Sequence, residues 1–385
     1  MAAASSTGPL SGLKVIELAG IGPGPMCAML LADQGATVLR IDRTQPVASG
    51  IERPLRFNLL LRNRHSISLD LKKPEAVETV LRLVEGADAL IEGFRPGVTE
   101  RLGLGPDVCI ARNPKLVYGR ITGWGQEGPL SQWAGHDVNY LAITGVLGAI
   151  GRAGQPPTIP LNIVGDYAGG SLYLAFGVMS ALFEAQRSGK GQVVDAAIVD
   201  GAAHLATTFF GMVAAGIWSE ERGTNISDTG AYYYEVYECS DGRWVSVGPL
   251  EPKFLAELLR LLGIDPAVVG SPSDRAMWPK ARERMAAVFR TATRDEWTRR
   301  LEASDACFAP VLSWTEAPQH PHLQARKTFI EVAGITQPAP APRFSRTTPA
   351  TPTPPLPNDA DVDAALASWL PPQEIAGLRA GGILR

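Results

Sequence analysis

The chain has 385 residues, a mass of 41.0 kDa and 45% hydrophobic residues, which is enough for one large domain and a smaller one. Its 36 basic residues nearly balance 39 acidic ones, so the net charge of −3 favours neither nucleic acid nor an anionic membrane as a partner. The four cysteines are too widely spaced for a zinc site or a disulfide framework. We therefore expect no metal, no membrane anchor and a cytoplasmic protein with reduced thiols.

The first part of the chain alternates strand-like and helix-like segments. Strands are predicted over 13–18, 37–41, 66–71, 87–94 and 116–121. A glycine-rich turn and a helix over about 25–34 follow the first strand, and Pro74 opens a second helix. This rhythm predicts an α/β fold with a doubly wound, Rossmann-like parallel sheet, whose ligands lie beyond the carboxyl ends of the strands.

The second part begins with two apolar stretches, 167–185 and 193–218, each of which we interpret as a long helix. From residue 224 the sequence becomes aromatic and polar, which indicates a smaller α+β domain, and prolines over 337–357 favour an extended strap. The predicted boundaries are 1–200 for the large domain, 201–223 for a linker helix and 224–321 for the small domain. Residues 322–385 form a return strap and C-terminal helices on the large domain.

A glycine turn at 20–25, with Asp42 further on, resembles a dinucleotide fingerprint only superficially. The third glycine would fall at Cys27, and Pro23 and Pro25 stiffen the backbone where a pyrophosphate would approach. A tight strand-to-helix turn is the better interpretation.

Several basic residues follow or flank the predicted strands. They are Arg43, Arg62, Arg64, Lys72, Arg95 and Arg101. Any one of them is best read as solvated surface charge, but as a set near one edge of the sheet they favour a polyphosphate ligand, held by charge-assisted hydrogen bonds.

Two further residues can carry proton chemistry. His136 follows a glycine in AGHDVNY, and Asp166 in LNIVGDYAGG directly precedes the apolar helix, which makes it a natural N-cap. A helix N-terminus can also stabilise a developing enolate oxygen beside such a carboxyl group. Taken singly, a hydrogen-bonded core histidine and a capping aspartate remain the simpler interpretations.

Seven ordered segments together resemble the alpha-methylacyl-CoA racemase family within the class III CoA-transferase superfamily. They are ELAGIGPGP, VLRIDR, EGFRPGVTERLGLGP, TGWGQEGP, AGHDVNYLA, SGKGQVVDAAIVDG and SDACFAPVL. The resemblance covers most of the chain and implies an interlocked homodimer. The implied reaction interconverts (2R)- and (2S)-2-methylacyl-CoA thioesters by proton transfer through an enolate. No cofactor is expected, because coenzyme A is part of the substrate.

The resemblance also implies the roles of individual residues. His136 and Asp166 form the acid/base pair, and Glu251 completes the side near Asp166, where it is expected to raise a carboxyl pKa. The implied coenzyme A contacts are Arg43, Leu69, Asp70, Leu71, Lys72, Gly93, Phe94, Arg95 and Arg101. The implied acyl-thioester contacts are Gly135, Asp137, Val138, Asn139, Tyr140, Asn162 and Tyr234.

Two other functions remain open. A CoA-transferase of the same fold would use Asp166 as a nucleophile, although such enzymes usually carry an aromatic residue in place of His136. A catalytically silent acyl-CoA-binding protein is the third possibility. The segments 226–234 and 248–254 depart from the family pattern, which has a glycine where this chain has Thr229 and a proline where it has Tyr232, and this leaves the preferred acyl chain open.

Overall fold

The computed structural model describes residues 7–45 and 51–384. They divide into two compact units, each with its own core. The first unit takes the described residues of Met1–Thr144, Leu161–Leu205 and His322–Arg385, and the second takes Gly145–Pro160 and Ala206–Pro321. Residues 145–160 thus belong to the second unit, whereas the sequence-based boundaries assigned them to the first.

The strands are numbered in chain order through both units. They are β1 (Lys14–Leu18), β2 (Thr37–Asp42), β3 (His65–Ser68), β4 (Ala89–Glu92), β5 (Val117–Thr122), β6 (Val193–Ala197), β7 (Glu235–Glu238), β8 (Trp244–Val247), β9 (Phe308–Pro310), β10 (Phe329–Val332) and β11 (Ile335–Pro338).

The α-helices are numbered in the same way. They are α1 (Pro23–Asp33), α2 (Pro74–Val84), α3 (Val98–Arg101), α4 (Pro106–Arg112), α5 (Asp137–Ile143), α6 (Val146–Ala149), α7 (Tyr173–Ser188), α8 (Ile198–Leu205), α9 (Thr207–Ala214), α10 (Pro252–Leu262), α11 (Pro266–Val269), α12 (Trp278–Phe289), α13 (Arg294–Leu301), α14 (Pro321–Ala325), α15 (Val362–Leu366) and α16 (Pro372–Ala380). Short 3₁₀ turns occupy Leu55–Phe57, Leu59–Leu61, Arg275–Met277 and Ala317–Gln319, and a π-helix spans Ile163–Leu172.

The first unit is built on a six-stranded sheet in the order β3-β2-β1-β4-β5-β6, with every pair parallel. This is the doubly wound order, so the predicted α/β fold is confirmed. The direction of winding reverses between β1 and β4, and in such sheets ligands bind in the crevice beyond that point. All six carboxyl ends lie along the same edge.

Side-chain alternation builds a core on each face of this sheet. On β1, Val15 packs with α1 and α7 residues such as Leu31 and Leu174, whereas Ile16 packs on the opposite face with residues of α2 and α15. Both strand residues are fully buried. Because neighbouring side chains of a strand point to opposite faces, a run of buried apolar residues is the mark of a sheet covered on both sides.

The single long helix predicted over 193–218 is wrong. Its first five residues form β6, which pairs with β5 from Tyr118↔Val193 onward, and α8 and α9 follow as separate helices. The sequence VVDAA shows no clear periodicity of either kind. Pairing with β5, a contact distant in sequence, decides its conformation.

The second unit holds the antiparallel sheet β7-β8-β9 and the helices α10 to α13. Aromatic side chains dominate its core, among them Tyr232, Trp278, Phe289 and Trp297. The predicted smaller α+β domain is therefore confirmed.

One helix of the first unit, Ile163–Ser188, is long and apolar enough to cross a membrane by length and composition. In its most apolar window, 44% of the helix is buried inside the protein. Because core helices of soluble proteins pass the same test, this is weak support for a membrane span.

Candidate active site

The candidate site lies where the loops after β1, β4 and β5 meet the start of the Ile163–Ser188 helix. The glycine turn after β1 comes close to Asp166, since a Cβ added to Gly22 would lie 3.5 Å from Asp166 Oδ2. This turn adjoins the reversal point between β1 and β4, where a doubly wound sheet offers a ligand crevice.

The helix that carries Asp166 begins earlier than predicted. Asn162 is its N-cap and Asp166 lies inside the first turn of the π-helix, so the prediction of Asp166 as the N-cap is wrong. The wider winding of the π-helix and its small residues allow α8 to pack closely against it. A Cβ built on Gly169 would lie only 2.9 Å from the backbone nitrogen of Ala202 in α8. π-Helices are rare and frequently occur at functional sites.

The Asp166 carboxyl group is partly buried, and Asn162 Nδ2 donates to its Oδ2 at 3.4 Å. Burial raises the pKa of Asp166, and the nearby charge of Asp137 adds to this, while the Asn162 hydrogen bond and the charge of His136 act in the opposite direction. The raised pKa was expected from Glu251, but within this unit burial and Asp137 cause it. A carboxyl group in such surroundings retains its proton to higher pH than a solvated one.

His136 is exposed and occupies the N-cap position of α5. Its backbone N–H donates to Asn139 Oδ1 at 3.0 Å, which fixes the local turn. The next residue, Asp137, accepts the backbone N–H of Asp166 on its Oδ2 at 2.7 Å. The structure therefore brings together the two segments that carry the predicted acid and base.

Tyr140 packs against the segment that leads into His136. Its hydroxyl donates to the Gly135 carbonyl, and the Trp124 ring meets it edge-on at a centroid distance of 4.7 Å. Burial raises the pKa of Tyr140 to about 12, with a smaller contribution from Asp166, whereas the positive charge of Arg95 opposes the shift. Arg95, from the loop after β4, is thus close enough to act on this region.

The remaining residues predicted to contact the acyl group differ in how exposed their side chains are. Asn139 and Asn162 are exposed, Val138 is partly buried and Asp137 is buried, with its carboxylate directed to backbone N–H groups. The predicted acyl role of these residues stays a prediction.

Four of the predicted coenzyme A contacts are exposed basic residues without an ion pair in the described part of the chain. They are Arg43, Lys72, Arg95 and Arg101. The Arg43 guanidinium lies 5.9 Å from the centre of the Phe94 ring, which brings the loops after β2 and β4 together. Because these positive groups form no ion pair with a carboxylate of the described residues, they are available to bind an anionic ligand.

The segment 69–72, also predicted to contact coenzyme A, turns sharply after β3. Leu69 is buried, Leu71 is partly buried, and Asp70 Oδ1 accepts the Lys72 N–H at 3.2 Å. A cavity of about 260 Å³ adjoins it, lined by Thr44, Ser68, Asp70, Lys73, Ala76, Gly382 and Ile383.

Arg62 and Arg64 do not belong to the basic ligand set, and their inclusion was wrong. Arg62 is buried and donates to Asp33, with its Nε 3.1 Å from Oδ1, and also to Gln337. Arg64 is buried and paired with Glu17. Both guanidinium groups are neutralised inside the core, where a phosphate cannot reach them.

Sequence reasoning missed the support beneath the loop at Gly93–Arg95. Buried Glu92 accepts the Phe94 N–H at 2.7 Å, and Arg120 joins Glu92 to Glu100 in α3, with both ion pairs at 2.7 Å. The sequence contains a signal for this pairing, namely the glutamate that ends the buried run ALIE. A buried carboxylate requires a partner, so Glu92 predicts a nearby basic residue.

Two predicted residues, Glu251 and Tyr234, lie in the second unit. Glu251 is the N-cap residue of α10, and Tyr234 is 39% exposed. Their roles beside His136 and Asp166 stay predictions.

The altered loop at 226–234 is also in the second unit. Thr229 has a φ of 77°, a conformation that glycine adopts without strain, and the family pattern has glycine there. Tyr232, which replaces a proline of the pattern, is fully buried in the aromatic core. The Tyr232 side chain therefore helps to fill the core of the second unit.

Among residues 7–45 and 51–384, no group of three or more His, Cys, Asp or Glu side chains is arranged to hold a metal ion.

Comparisons with known proteins agree on one family. The model of CoA-transferase family III matches residues 10–361. An alpha-methylacyl-CoA racemase of Mus musculus is 43% identical over 345 residues, covering 89% of this chain and 88% of its own, and that of Homo sapiens is 41% identical over 348 residues with the same coverage. A CAIB/BAIF family protein from Brucella suis has a similar structure, with a TM-score of 0.78 and 27% identity over 94% of this chain and 100% of its own.

Proposed function

The chain belongs to CoA-transferase family III, and from this premise we propose that it is a racemase of 2-methylacyl-CoA thioesters. The reaction interconverts the (2R) and (2S) forms by removing the proton on the carbon next to the thioester carbonyl and returning a proton to the opposite face. Coenzyme A is part of the substrate, and the proposal requires neither a metal nor another cofactor.

One observation carries this proposal, namely the hydrogen bond between the segments of His136 and Asp166. Asp137, the neighbour of His136, accepts the Asp166 N–H at 2.7 Å. An imidazole and a carboxyl group presented on adjoining backbone segments provide the two groups that a two-sided proton transfer needs. A transferase needs a nucleophilic carboxylate but no second base.

The electrostatics of Asp166 also favour proton chemistry. Its pKa is raised, mainly by burial, which favours the protonated carboxyl group more than in a solvated aspartate. With the S substrate, we expect His136 to abstract the proton and Asp166 to deliver one, and the roles to reverse with the R substrate. Backbone N–H groups at the start of a helix can stabilise the enolate oxygen.

The exposed basic residues Arg43, Arg95 and Arg101, with Lys72, are proposed to bind the phosphates of coenzyme A. They follow the carboxyl ends of β2, β3 and β4 and have no carboxylate partner in the described residues. Phe94 beside Arg43 adds an aromatic surface.

The decisive experiment follows the α-proton of a 2-methylacyl-CoA ester in deuterated water. The wild-type enzyme should incorporate deuterium at C2 and racemise either enantiomer without an acceptor acid. His136→Ala and Asp166→Ala should each lose racemisation by about 10²- to 10⁴-fold, the usual contribution of general acid/base catalysis. His136→Ala should also lose α-proton exchange of the S substrate, and Asp166→Ala that of the R substrate. Lys115→Ala, at an exposed site before β5, serves as the control.

Other outcomes would assign another function. Trapping of an acyl-enzyme by hydroxylamine, with transfer to an acceptor acid, would identify a CoA-transferase. Binding of the ester without exchange would identify a non-catalytic acyl-CoA-binding protein.

We also propose a homodimer, supported by exposed apolar side chains in each unit. Leu172, Phe176 and Phe183 follow helical spacing and are 51%, 74% and 63% exposed. In the second unit, Phe209 and Phe210 near the start of α9 are exposed as well. Apolar side chains in such groups mark a surface that another protein covers.

The dimer is tested by the mass of the particle in solution. We propose that Glu251 of one chain reaches His136 and Asp166 of its partner. Wild type should therefore sediment at twice the chain mass, and Phe176→Glu/Phe183→Glu should sediment as a monomer with little racemase activity. Binding of wild type to phospholipid vesicles, with monomeric sedimentation, would contradict the dimer. A cytoplasmic location remains part of the proposal, supported by four free cysteines.

A further inference from the structure

The carboxyl group of Asp137 lies between the two segments that carry the proposed acid and base. Asp137 is the first residue of α5, directly after His136, and is 7% exposed. Its Oδ2 accepts the Asp166 N–H at 2.7 Å, and the Gly165 N–H donates to the same carboxyl group. The side chain thus points to the start of the Ile163–Ser188 helix.

Gly165 makes this contact possible. A Cβ built at Gly165 would lie 2.3 Å from Asp137 Oδ2 and 2.8 Å from its Cγ, far inside van der Waals contact. Any other residue would push the carboxylate away from the backbone N–H groups. The glycine and the aspartate, 28 positions apart, therefore form one packed unit.

The geometry has a mechanical consequence. Asp137 is joined to His136 by a peptide bond and to Asp166 by a hydrogen bond, so one buried side chain connects the backbones of both residues. Proton transfer to both faces of one carbon requires the two groups at a fixed separation, and a misplacement of about 1 Å can lower the rate about 10²-fold.

We propose that Asp137 is a positioning residue that sets the separation between the His136 imidazole and the Asp166 carboxyl group. The proposal rests on the racemase function proposed above. It assigns to the Asp137 side chain no contact with the substrate. Its action is to hold the N-terminal turn of the Asp166 helix against the start of α5.

The burial of Asp137 is consistent with this role. Its Oδ1 is buried and has no hydrogen-bond partner in the described structure, so the carboxylate depends on the Asp166 N–H, which donates to Oδ2, and on the Gly165 N–H. Burial raises the pKa of Asp137, and those two N–H groups oppose the rise by stabilising the charged form. If the N–H groups of the Asp166 helix moved away, the buried carboxylate of Asp137 would lose its hydrogen bonds, which costs free energy. This cost holds the start of the Asp166 helix in place.

The test compares three variants with the wild type in racemisation of a 2-methylacyl-CoA ester. Asp137→Ala removes the acceptor, and kcat should fall about 10²-fold with KM within about threefold, because the substrate contacts remain but the geometry is lost. Asp137→Asn keeps an oxygen acceptor and should recover most of the loss. Gly165→Ala should reproduce the Asp137→Ala defect with the aspartate still present.

A matched control separates positioning from general destabilisation. Asp361→Ala removes another aspartate that accepts a backbone N–H at a helix start, from Ala364 at 2.9 Å, and should leave kcat unchanged. Urea unfolding of each variant shows that the folded state is populated in the assay.

The outcomes distinguish this proposal from the function on which it rests. If wild type neither racemises nor exchanges the α-proton, the racemase function fails. If wild type is active but Asp137→Ala retains its kcat, or Asp137→Asn is as defective as Asp137→Ala, the positioning role is wrong. A rise in KM with kcat unchanged would likewise overturn it, since that result indicates a substrate contact.

Discussion

Two sets of arginines in the first unit look alike in the sequence and have opposite surroundings in the structure. Arg62 and Arg64 are buried and paired with Asp33 and Glu17. Arg43 and Arg95 are exposed and have no ion pair in the described residues. All four flank strands or strand ends. The comparison shows that a basic residue near a strand end stays exposed and available to a ligand only where the core offers it no carboxylate.

The largest expected effect comes from the buried set. Arg62→Met should lower the free energy of unfolding by about 3–5 kcal/mol, because it leaves Asp33 charged and unpaired in the core. Urea unfolding followed by circular dichroism measures the change. Asp33→Leu/Arg62→Met, which removes both charges, should recover part of the loss. A single variant as stable as wild type would show that the pair contributes nothing, and would remove the distinction between the two sets.

The same comparison explains how far the sequence could predict the fold. Alternating strands and helices predict the doubly wound sheet, because each element carries its own local pattern. β6 was missed because VVDAA has no such pattern and becomes a strand only by pairing with β5. Contacts of this kind join residues that are distant in the chain.

The candidate site shows the same limit. His136 and Asp166 were singled out from their local sequence and paired through the resemblance, while the hydrogen bond from Asp166 to Asp137 spans 29 positions and has no local signature. The start of the Asp166 helix was placed too late because an aspartate before an apolar run is a typical N-cap, whereas Asn162 holds that position. Burial and pairing, which separate Arg62 from Arg43, are likewise properties of the folded chain.

The second prediction concerns the exposed set. Arg43→Ala and Arg95→Ala should each raise KM for a CoA ester about 10-fold with kcat nearly unchanged, as expected for loss of a charge-assisted contact to a remote part of the substrate. Their urea midpoints should match that of wild type. The control is Arg187→Ala, an exposed arginine at the C-terminal end of α7.

A second substrate sharpens this test. An acyl-pantetheine thioester lacks the coenzyme A phosphates, so wild type and both variants should turn it over with the same KM. Equal defects on both substrates would show that these arginines act on the acyl group or the fold, which contradicts their assignment as phosphate contacts.

Salt should affect the exposed arginines but not the buried ones, and the expected change in KM is smaller than that caused by the substitutions. Raising the salt concentration from about 0.05 to 0.5 M should increase KM for the CoA ester several-fold in wild type, since the screening length falls from about 14 Å to about 4 Å over this range. In Arg43→Ala/Arg95→Ala the increase should be much weaker. The coupling energy between Arg62 and Asp33, measured by a double-mutant cycle, should remain the same at both concentrations because the pair is buried. A salt-independent KM in wild type would contradict the phosphate assignment.

The smallest expected effect belongs to arginines that are paired but exposed. Arg260 in α10 pairs with Glu257 at 2.8 Å, and the Arg260 side chain is 67% exposed. Arg260→Ala should change neither the urea midpoint nor KM measurably, because water solvates both charges once the pair is broken. A clear loss of stability here would mean that pairing by itself, without burial, distinguishes the structural arginines. If no loss is found, burial is the property that separates Arg62 and Arg64 from the rest, and the exposed, unpaired arginines remain the ones available to a ligand.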